Sequence, residues 1–334
     1  MLPLALLLAA LPALGAQETD PARAAYQLIR KSAFDFERRD RSTPEQRELG
    51  HLLFFDPRLS KDGTLSCASC HLPEKAWTDG LRRAKGAGGR ELARNTPSLF
   101  NSRRNIARKF FWDGRAENIE DAIRGAMESR LEMGADSGHI ARLVDEVPEY
   151  RRAFQSVYGD GPVLSSQAAR AIGVFVTGQL EPEDTPFDRY EKDPSALGPA
   201  EKRGMILFAG KARCVACHIG PFLSDEYYHN IGLIPDPELD DPGRYALEPK
   251  EEFWRAFKTP PLRNAARTAP YMHDGRYKTL GEVVEHYDRG GDEPEDRDRR
   301  MQALHLNPGE KSDLLAFLGA LSSPVKKVRP PKLP

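Results

Sequence analysis

Cys67-Ala68-Ser69-Cys70-His71 and Cys214-Val215-Ala216-Cys217-His218 decide how this chain is read, because together they use all four of its cysteines. Each is a C-x-x-C-H run. Two thiols one helical turn apart can form thioethers to the two vinyl groups of one haem, and the imidazole that follows then reaches the iron. Disulfides, a zinc ion held by four thiolates, or a thioredoxin-like redox pair would each account for the cysteines. None accounts for a histidine in both places. The motifs predict two covalently bound haem c groups, attached through Cys67, Cys70, Cys214 and Cys217, with His71 and His218 as proximal ligands.

Such attachment is carried out outside the cytoplasm, and the N-terminus agrees. Leu2 to Leu14 is almost purely apolar and ends in the small residues Ala13-Leu14-Gly15-Ala16 before a polar run from Gln17, as a cleaved signal peptide over 1–16 would. The apolar run is too short to span a bilayer of ~30 Å as a helix, and no later segment is longer, so no stable membrane insertion is expected once the signal is removed. A short membrane anchor is the alternative, because only the terminal amine charges the region before the apolar run. The expected location is the periplasm. Lysine plus arginine (49) nearly cancels aspartate plus glutamate (50), so no field exists to recruit nucleic acid or an anionic membrane.

A length of 334 residues suits two domains of ordinary size. Similar phrases precede the two motifs, Gly50-His51-Leu52-Leu53-Phe54 and Gly204-Met205-Ile206-Leu207-Phe208, so the halves read as diverged repeats. Ser42-Thr43-Pro44-Glu45 reads as a capping box, Ser195 and Pro199 open a similar helix, and Asn307-Pro308 begins one with an apolar stripe through Leu314, Leu315, Phe317, Leu318 and Leu321. Ile119 to Met127 and Ser165 to Leu180 also read as helical, and sustained period-two alternation is hard to find. The predicted fold is mainly α, with two cytochrome c-like domains over 17–185 and 186–334. The boundary sits in the polar, proline-bearing run Glu181 to Pro186. Gly- and Arg-rich Leu81 to Arg94 reads as a loop lying over a haem face.

Function turns on the sixth ligands, since an iron capped on both faces passes electrons and one with an empty face can bind peroxide. From Leu72 through Gly138 there is no histidine, and the only methionines are Met127 and Met133. The first haem is expected to lack a strong distal ligand, with Met133, His51 and His139 as the alternatives. The second half offers Met272, His273, His286, Tyr287 and Met301, and spacing does not choose among them.

Longer phrases carry a family resemblance. Leu53-Phe54-Phe55-Asp56-Pro57-Arg58-Leu59-Ser60, Arg94-Asn95-Thr96-Pro97-Ser98-Leu99, Phe111-Trp112-Asp113-Gly114-Arg115, His229-Asn230-Ile231-Gly232-Leu233, Pro261-Leu262-Arg263-Asn264 and Ala269-Pro270-Tyr271-Met272-His273-Asp274-Gly275 occur in matching order. The chain resembles the bacterial dihaem cytochrome c peroxidases and, among them, the MauG type. The resemblance implies a peroxidatic N-terminal haem, an electron-relay C-terminal haem, Trp112 between them, and one calcium ion held by Asn95, Thr268 and Pro270, the last two through backbone carbonyls. It implies Tyr287 as the second haem's distal ligand, where electron-transfer peroxidases carry methionine, and Glu132 as the distal acid and base in O–O cleavage. The family's usual pocket glutamine and proline are Ala122 and Ala126 here, and the Lys85-Gly86-Ala87-Gly88-Gly89 loop lacks the histidine of peroxidases that rest inactive. The resulting expectation is a periplasmic enzyme that uses hydrogen peroxide to oxidise a small redox protein or a residue on a partner protein. The alternatives are a non-catalytic dihaem electron carrier and a peroxide sensor.

Overall fold

Proline and a short polar side chain mark most of the helix starts. In the computed structural model, which describes residues 20–31, 42–100, 109–179, 184–292, 295–325 and 327–334, the chain forms α1 (Pro21–Arg30), α2 (Pro44–Phe55), the single turn α3 (Cys67–Cys70), α4 (Ile119–Glu128), α5 (Ser137–Glu146), α6 (Pro148–Tyr158), α7 (Ser165–Gln179), α8 (Pro186–Arg189), α9 (Pro199–Ala209), α10 (Leu280–Asp288) and α11 (Pro308–Ala320). The one sheet among the described residues is a two-residue antiparallel ladder of β1 (Tyr228–His229) and β2 (Phe257–Lys258). The fold is mainly α, as read from the sequence. The signal peptide and residues 180–183 of the domain boundary lie outside the described residues.

Two cap assignments shift. The box at α2 is made by Thr43 and Gln46 rather than by Ser42 and Glu45, because either adjacent pair satisfies the pattern. Gly198, not Ser195, caps α9, and Ser195 lies in a separate short turn. Asn307 caps α11 as expected, with Glu310 reciprocating.

The repeat seen in sequence is a repeat in packing. A Cβ on Gly50 of α2 would lie 2.0 Å from the Ala171 carbonyl of α7, and one on Gly204 of α9 would lie 2.0 Å from the Asp313 carbonyl of α11. Glycine lets each helix pair cross in backbone contact. One turn on, Phe54 meets Phe175 and Phe208 meets Phe317, both with ring centroids 5.2 Å apart. Two apolar cores grow from these crossings, one around α2, α5, α6 and α7 and one around α9, α10 and α11.

The chain ends cross between the halves. Ala22, Ala25, Tyr26 and Ile29 of α1 are buried in the second core, although α1 precedes the first motif. Val325 and Val328 pack back on the first core, where His51 Nε2 bonds the Arg329 carbonyl at 3.1 Å. Each core is thus closed by a segment from the far end of the sequence. Among the described residues no helix is long and apolar enough to cross a membrane.

Candidate haem sites and the path between them

Both C-x-x-C-H runs fold into one helical turn that ends on the histidine, with the His71 amide donating to the Cys67 carbonyl at 2.9 Å and the His218 amide to the Cys214 carbonyl at 2.8 Å. Beyond each turn the backbone doubles back and presents a carbonyl to the imidazole. His71 Nδ1 lies 3.0 Å from the Trp77 oxygen, and His218 Nδ1 lies 2.8 Å from the Leu223 oxygen. A carbonyl can only accept, so each Nδ1 carries the proton and each Nε2 keeps its lone pair for a metal. Trp77 (φ +64°) and Leu223 (φ +56°) both adopt the left-handed conformation that bulky residues avoid. Burial holds both imidazoles below the usual histidine range, in the neutral form that ligates iron.

The thiols fit the same reading. All four are free, so neither pair is a disulfide. Burial pushes Cys67 and Cys214 up to about 12, which suits protected thiols rather than a reactive redox pair. Among the described residues, the one cluster of three or more metal-type side chains is Cys217, Asp225 and His229, so the two cysteine pairs do not converge on a zinc ion. His229 is itself spoken for, with Nδ1 2.6 Å from Asp298 and Nε2 3.0 Å from Asp225. A neutral imidazole with a free Nε2 beside two unpaired thiols, twice over, is the donor set a c-type haem requires.

Around the first motif the alternative ligands are engaged elsewhere. His51 stacks on Phe175 and bonds the Arg329 carbonyl, and His139 Nε2 lies 2.9 Å from the Arg58 carbonyl. Met127 and Met133 belong to the first core. Glu132 lies on the short link between α4 and α5, and its charge, after burial and Asp79, is among the causes that push Cys70 up to about 11. Burial raises the Glu132 carboxyl above its ordinary value, and the Arg115 guanidinium pulls the other way. Ala87 donates its amide to the Leu131 carbonyl at 3.1 Å, and Gly86 presses on the same oxygen, so the Gly- and Arg-rich loop is docked beside Glu132.

The second half separates its five candidates. His286 is fully buried with both nitrogens engaged, Nε2 at 2.9 Å from the Ile231 carbonyl and Nδ1 at 3.2 Å from the Tyr277 hydroxyl. His273 stacks on Phe257 at 3.6 Å between centroids, and burial pulls it down to about 4. Met301 is buried, and Met272 sits on a left-handed turn. Tyr287 of α10 is raised by burial and then by the charges of Cys217 and Cys214, so it lies near the second motif. No hydrogen bond among the described residues reaches its hydroxyl. A ferric iron is the kind of charge that would reverse the upward shift.

Trp112 lies where the halves meet. Its indole N–H donates to the Asn95 carbonyl at 3.0 Å, its own carbonyl accepts the Lys258 amide at 2.7 Å, and the Asn95 amide donates to the His273 carbonyl at 2.7 Å. Arg94 crosses the same boundary, bonding Asp113 at 2.6 Å and Asp241 at 2.7 and 2.8 Å. Asn95 gives its amide nitrogen to the Leu81 carbonyl at 2.8 Å, which leaves its Oδ1 free to accept. The carbonyls of Thr268 and Pro270 accept no hydrogen bond among the described residues. Three unclaimed hard oxygens are the donor type calcium takes.

Sequence reading missed Trp77, Leu223 and the Asp225–His229–Asp298 cluster. His229 stood in a quoted phrase, but nothing there marked its two distant carboxylate partners.

Residues 44–195 match the family described as di-haem cytochrome c peroxidase. The chain is similar to the methylamine utilization protein MauG of Methylorubrum extorquens, 38% identical over 87% of this chain and 82% of that protein. It is equally similar, at 38%, to the cytochrome-c peroxidase IdrP1 of Pseudomonas sp. strain SCT, over 83% of this chain and 81% of that one. Among solved structures it resembles a MauG-like protein associated with microbial copper homeostasis, with a TM-score of 0.77, 31% identity, and coverage of 85% of this chain and 91% of the other.

Proposed function

Because the chain belongs to the di-haem cytochrome c peroxidase family and is accordingly a haem peroxidase, we propose that it reduces hydrogen peroxide at the His71 haem and draws the electrons, by way of Trp112 and the His218 haem, from a small redox protein or a residue on a partner protein. The observation that carries this reading is an asymmetry. Near the second motif lies Tyr287, whose hydroxyl no hydrogen bond among the described residues reaches, whereas around the first His51 and His139 are tied to backbone carbonyls and Glu132, after Asp79, acts on the Cys70 thiol.

When bound, haem supplies the iron that accepts peroxide and the two-electron chemistry that cleaves it. The protein supplies the rest. His71, with Nδ1 fixed on the Trp77 carbonyl, offers Nε2 in a set direction. Glu132, kept above the ordinary carboxylate range, takes a proton from one peroxide oxygen and returns it to the other. Trp112, gripped at indole and carbonyl, bridges the halves. As a ligand, the Tyr287 oxygen would disfavour reduced iron, which suits a second haem that shares oxidising equivalents with the first. Asn95, Thr268 and Pro270 would hold calcium beside this path. The N-terminal apolar run, together with haem attachment through cysteine, supports a periplasmic location.

A hydrogen peroxide titration of the holoprotein, followed optically and by electron paramagnetic resonance, tests the reading. The expected result is a high-spin ferric component that disappears with peroxide, together with a low-spin component whose signal changes in step. Two low-spin irons at rest, indifferent to peroxide, would leave an electron carrier in its place.

A further inference from the structure

We infer that Arg244 is a positioning residue for electron transfer through Trp112, gripping from the second half the turn that carries the indole. This rests on the relay reading above. The turn runs from Phe110 to Ala116, whose backbones pair at 2.9 Å, and it reverses through Phe111 (φ +68°) and Gly114 (φ +70°). A reversal so tight leaves the Trp112, Asp113 and Gly114 carbonyls directed outward. All three are taken by the second half. Lys258 donates its amide to Trp112 at 2.7 Å, and Arg244 Nη1 donates to Asp113 at 3.2 Å and to Gly114 at 3.3 Å.

Arg244 is itself held from several sides. Its amide donates to the Ala256 carbonyl at 2.8 Å, and its Nη2 meets Glu248 at 3.2 Å. Its guanidinium lies 4.7 Å from the centroid of the Tyr228 ring, a cation over an aromatic face. Tyr228 is half-buried against the same turn, and its hydroxyl fully so. A Cβ on Gly114 would lie 1.8 Å from the Tyr228 hydroxyl oxygen, so the phenol occupies the space a side chain would need. Tyr228 pairs with Lys258 across the β1–β2 ladder, so ladder, phenol and guanidinium form one rigid seat. The Asp113 carboxylate, in contrast, is held within the first half by Arg94 and Arg115. Arg94 also reaches Asp241, so side-chain charge ties the turn to both halves, while the carbonyl contacts fix its backbone directly to the second.

Electron transfer between fixed centres slows as their separation grows, so its rate reports where the turn sits. Arg244→Ala should lengthen the interval between loss of the high-spin signal and the response of the second haem several-fold. The first haem's own reaction with peroxide should be unchanged. Arg244→Lys should restore part of the rate, because an ammonium can still donate to one carbonyl, though without the fixed fork.

The experiment is rapid mixing of holoprotein with peroxide, read optically and by freeze-quenched electron paramagnetic resonance, on wild type, Arg244→Ala, Arg244→Lys, Arg244→Gln and Trp112→Phe. Haem content and the resting ferric spectrum establish that each variant is folded. If Arg244→Ala fails that check, the lysine and glutamine variants carry the comparison. Delay in the arginine variants with an intact first step supports the inference. Delay in Trp112→Phe but in none of the arginine variants overturns it while the relay reading stands. No delay in Trp112→Phe removes the relay itself, and the inference with it.

Discussion

The indole nitrogen of Trp112 donates to the backbone carbonyl of Asn95, 3.0 Å away, so the residue proposed to carry electrons is bonded to a residue proposed to hold calcium. The Asn95 amide in turn reaches His273 of the second half, and its side-chain nitrogen reaches Leu81. A cation on Oδ1 would complete this fixing. Chelation, or Asn95→Ala, should therefore slow the second haem's response to peroxide without altering the first haem's reaction, and added calcium should rescue the chelated wild type but not the variant. Rapid-mixing spectra decide it; an identical time course after verified calcium removal would disconnect the ion from the relay.

Glu132 should control the acidic limb of the pH–rate profile. Burial holds its carboxyl above the ordinary range, so the base form needed to deprotonate peroxide is lost at a higher pH than for an exposed glutamate. Glu132→Gln should lower the rate of the first haem's reaction by about 10²–10⁴-fold and flatten the limb. Arg115 opposes the upward shift, so Arg115→Gln should move the limb to higher pH. Stopped-flow rates between pH 4 and 8 measure both effects, and a limb that survives in Glu132→Gln would assign it to another group.

Replacing Tyr287 by methionine exchanges a hard anionic oxygen for a neutral thioether, which favours reduced iron. The second haem's potential should rise by on the order of 0.2 V, within the ~0.8 V that axial ligands span. Sharing of oxidising equivalents should fall with it. Spectroelectrochemical titration gives the potential directly. An unchanged value, with the low-spin signal intact, would mean that Tyr287 does not ligate.

What could be read in the sequence was what chemistry fixes locally. Thioether attachment dictates the spacing of Cys67, Cys70 and His71, and close helix crossing dictates Gly50 and Gly204, so both survive as strings. The caps slipped by one because Ser42 and Thr43 are each good caps and Glu45 and Gln46 each good partners. The carbonyls that orient His71 and His218 could not be read, since they depend on Trp77 and Leu223 entering a backbone region that neither residue type favours. Nor could the place of α1. Ala22, Ala25, Tyr26 and Ile29 have helical spacing, yet amphipathicity says only that a face is buried, not in which core. Arg244 was one basic residue among 49 until the halves were brought together.

The Asp225–His229–Asp298 cluster gives stability a pH dependence of definite sign. Burial alone would lower the His229 imidazole, but the Asp225 hydrogen bond, followed by Cys217 and Asp298, lifts it to about 10. The folded chain therefore keeps a proton that the unfolded chain releases above its ordinary value of 6.5. Stability from this group is fully present below that value and is lost as pH rises through the folded one, because over that interval the native state binds more protons. Thioether formation removes the thiol charge of Cys217, so in the holoprotein the two carboxylates carry the effect. Urea unfolding of the holoprotein at pH 6, 8 and 10 should show a decline, and His229→Gln should remove roughly 1–3 kcal/mol of it. Asp298→Asn should remove part, since Asp225 remains. Parallel pH dependences in wild type and His229→Gln would mean that the imidazole is neutral in the folded chain, and that the two carboxylates hold it by a proton of their own.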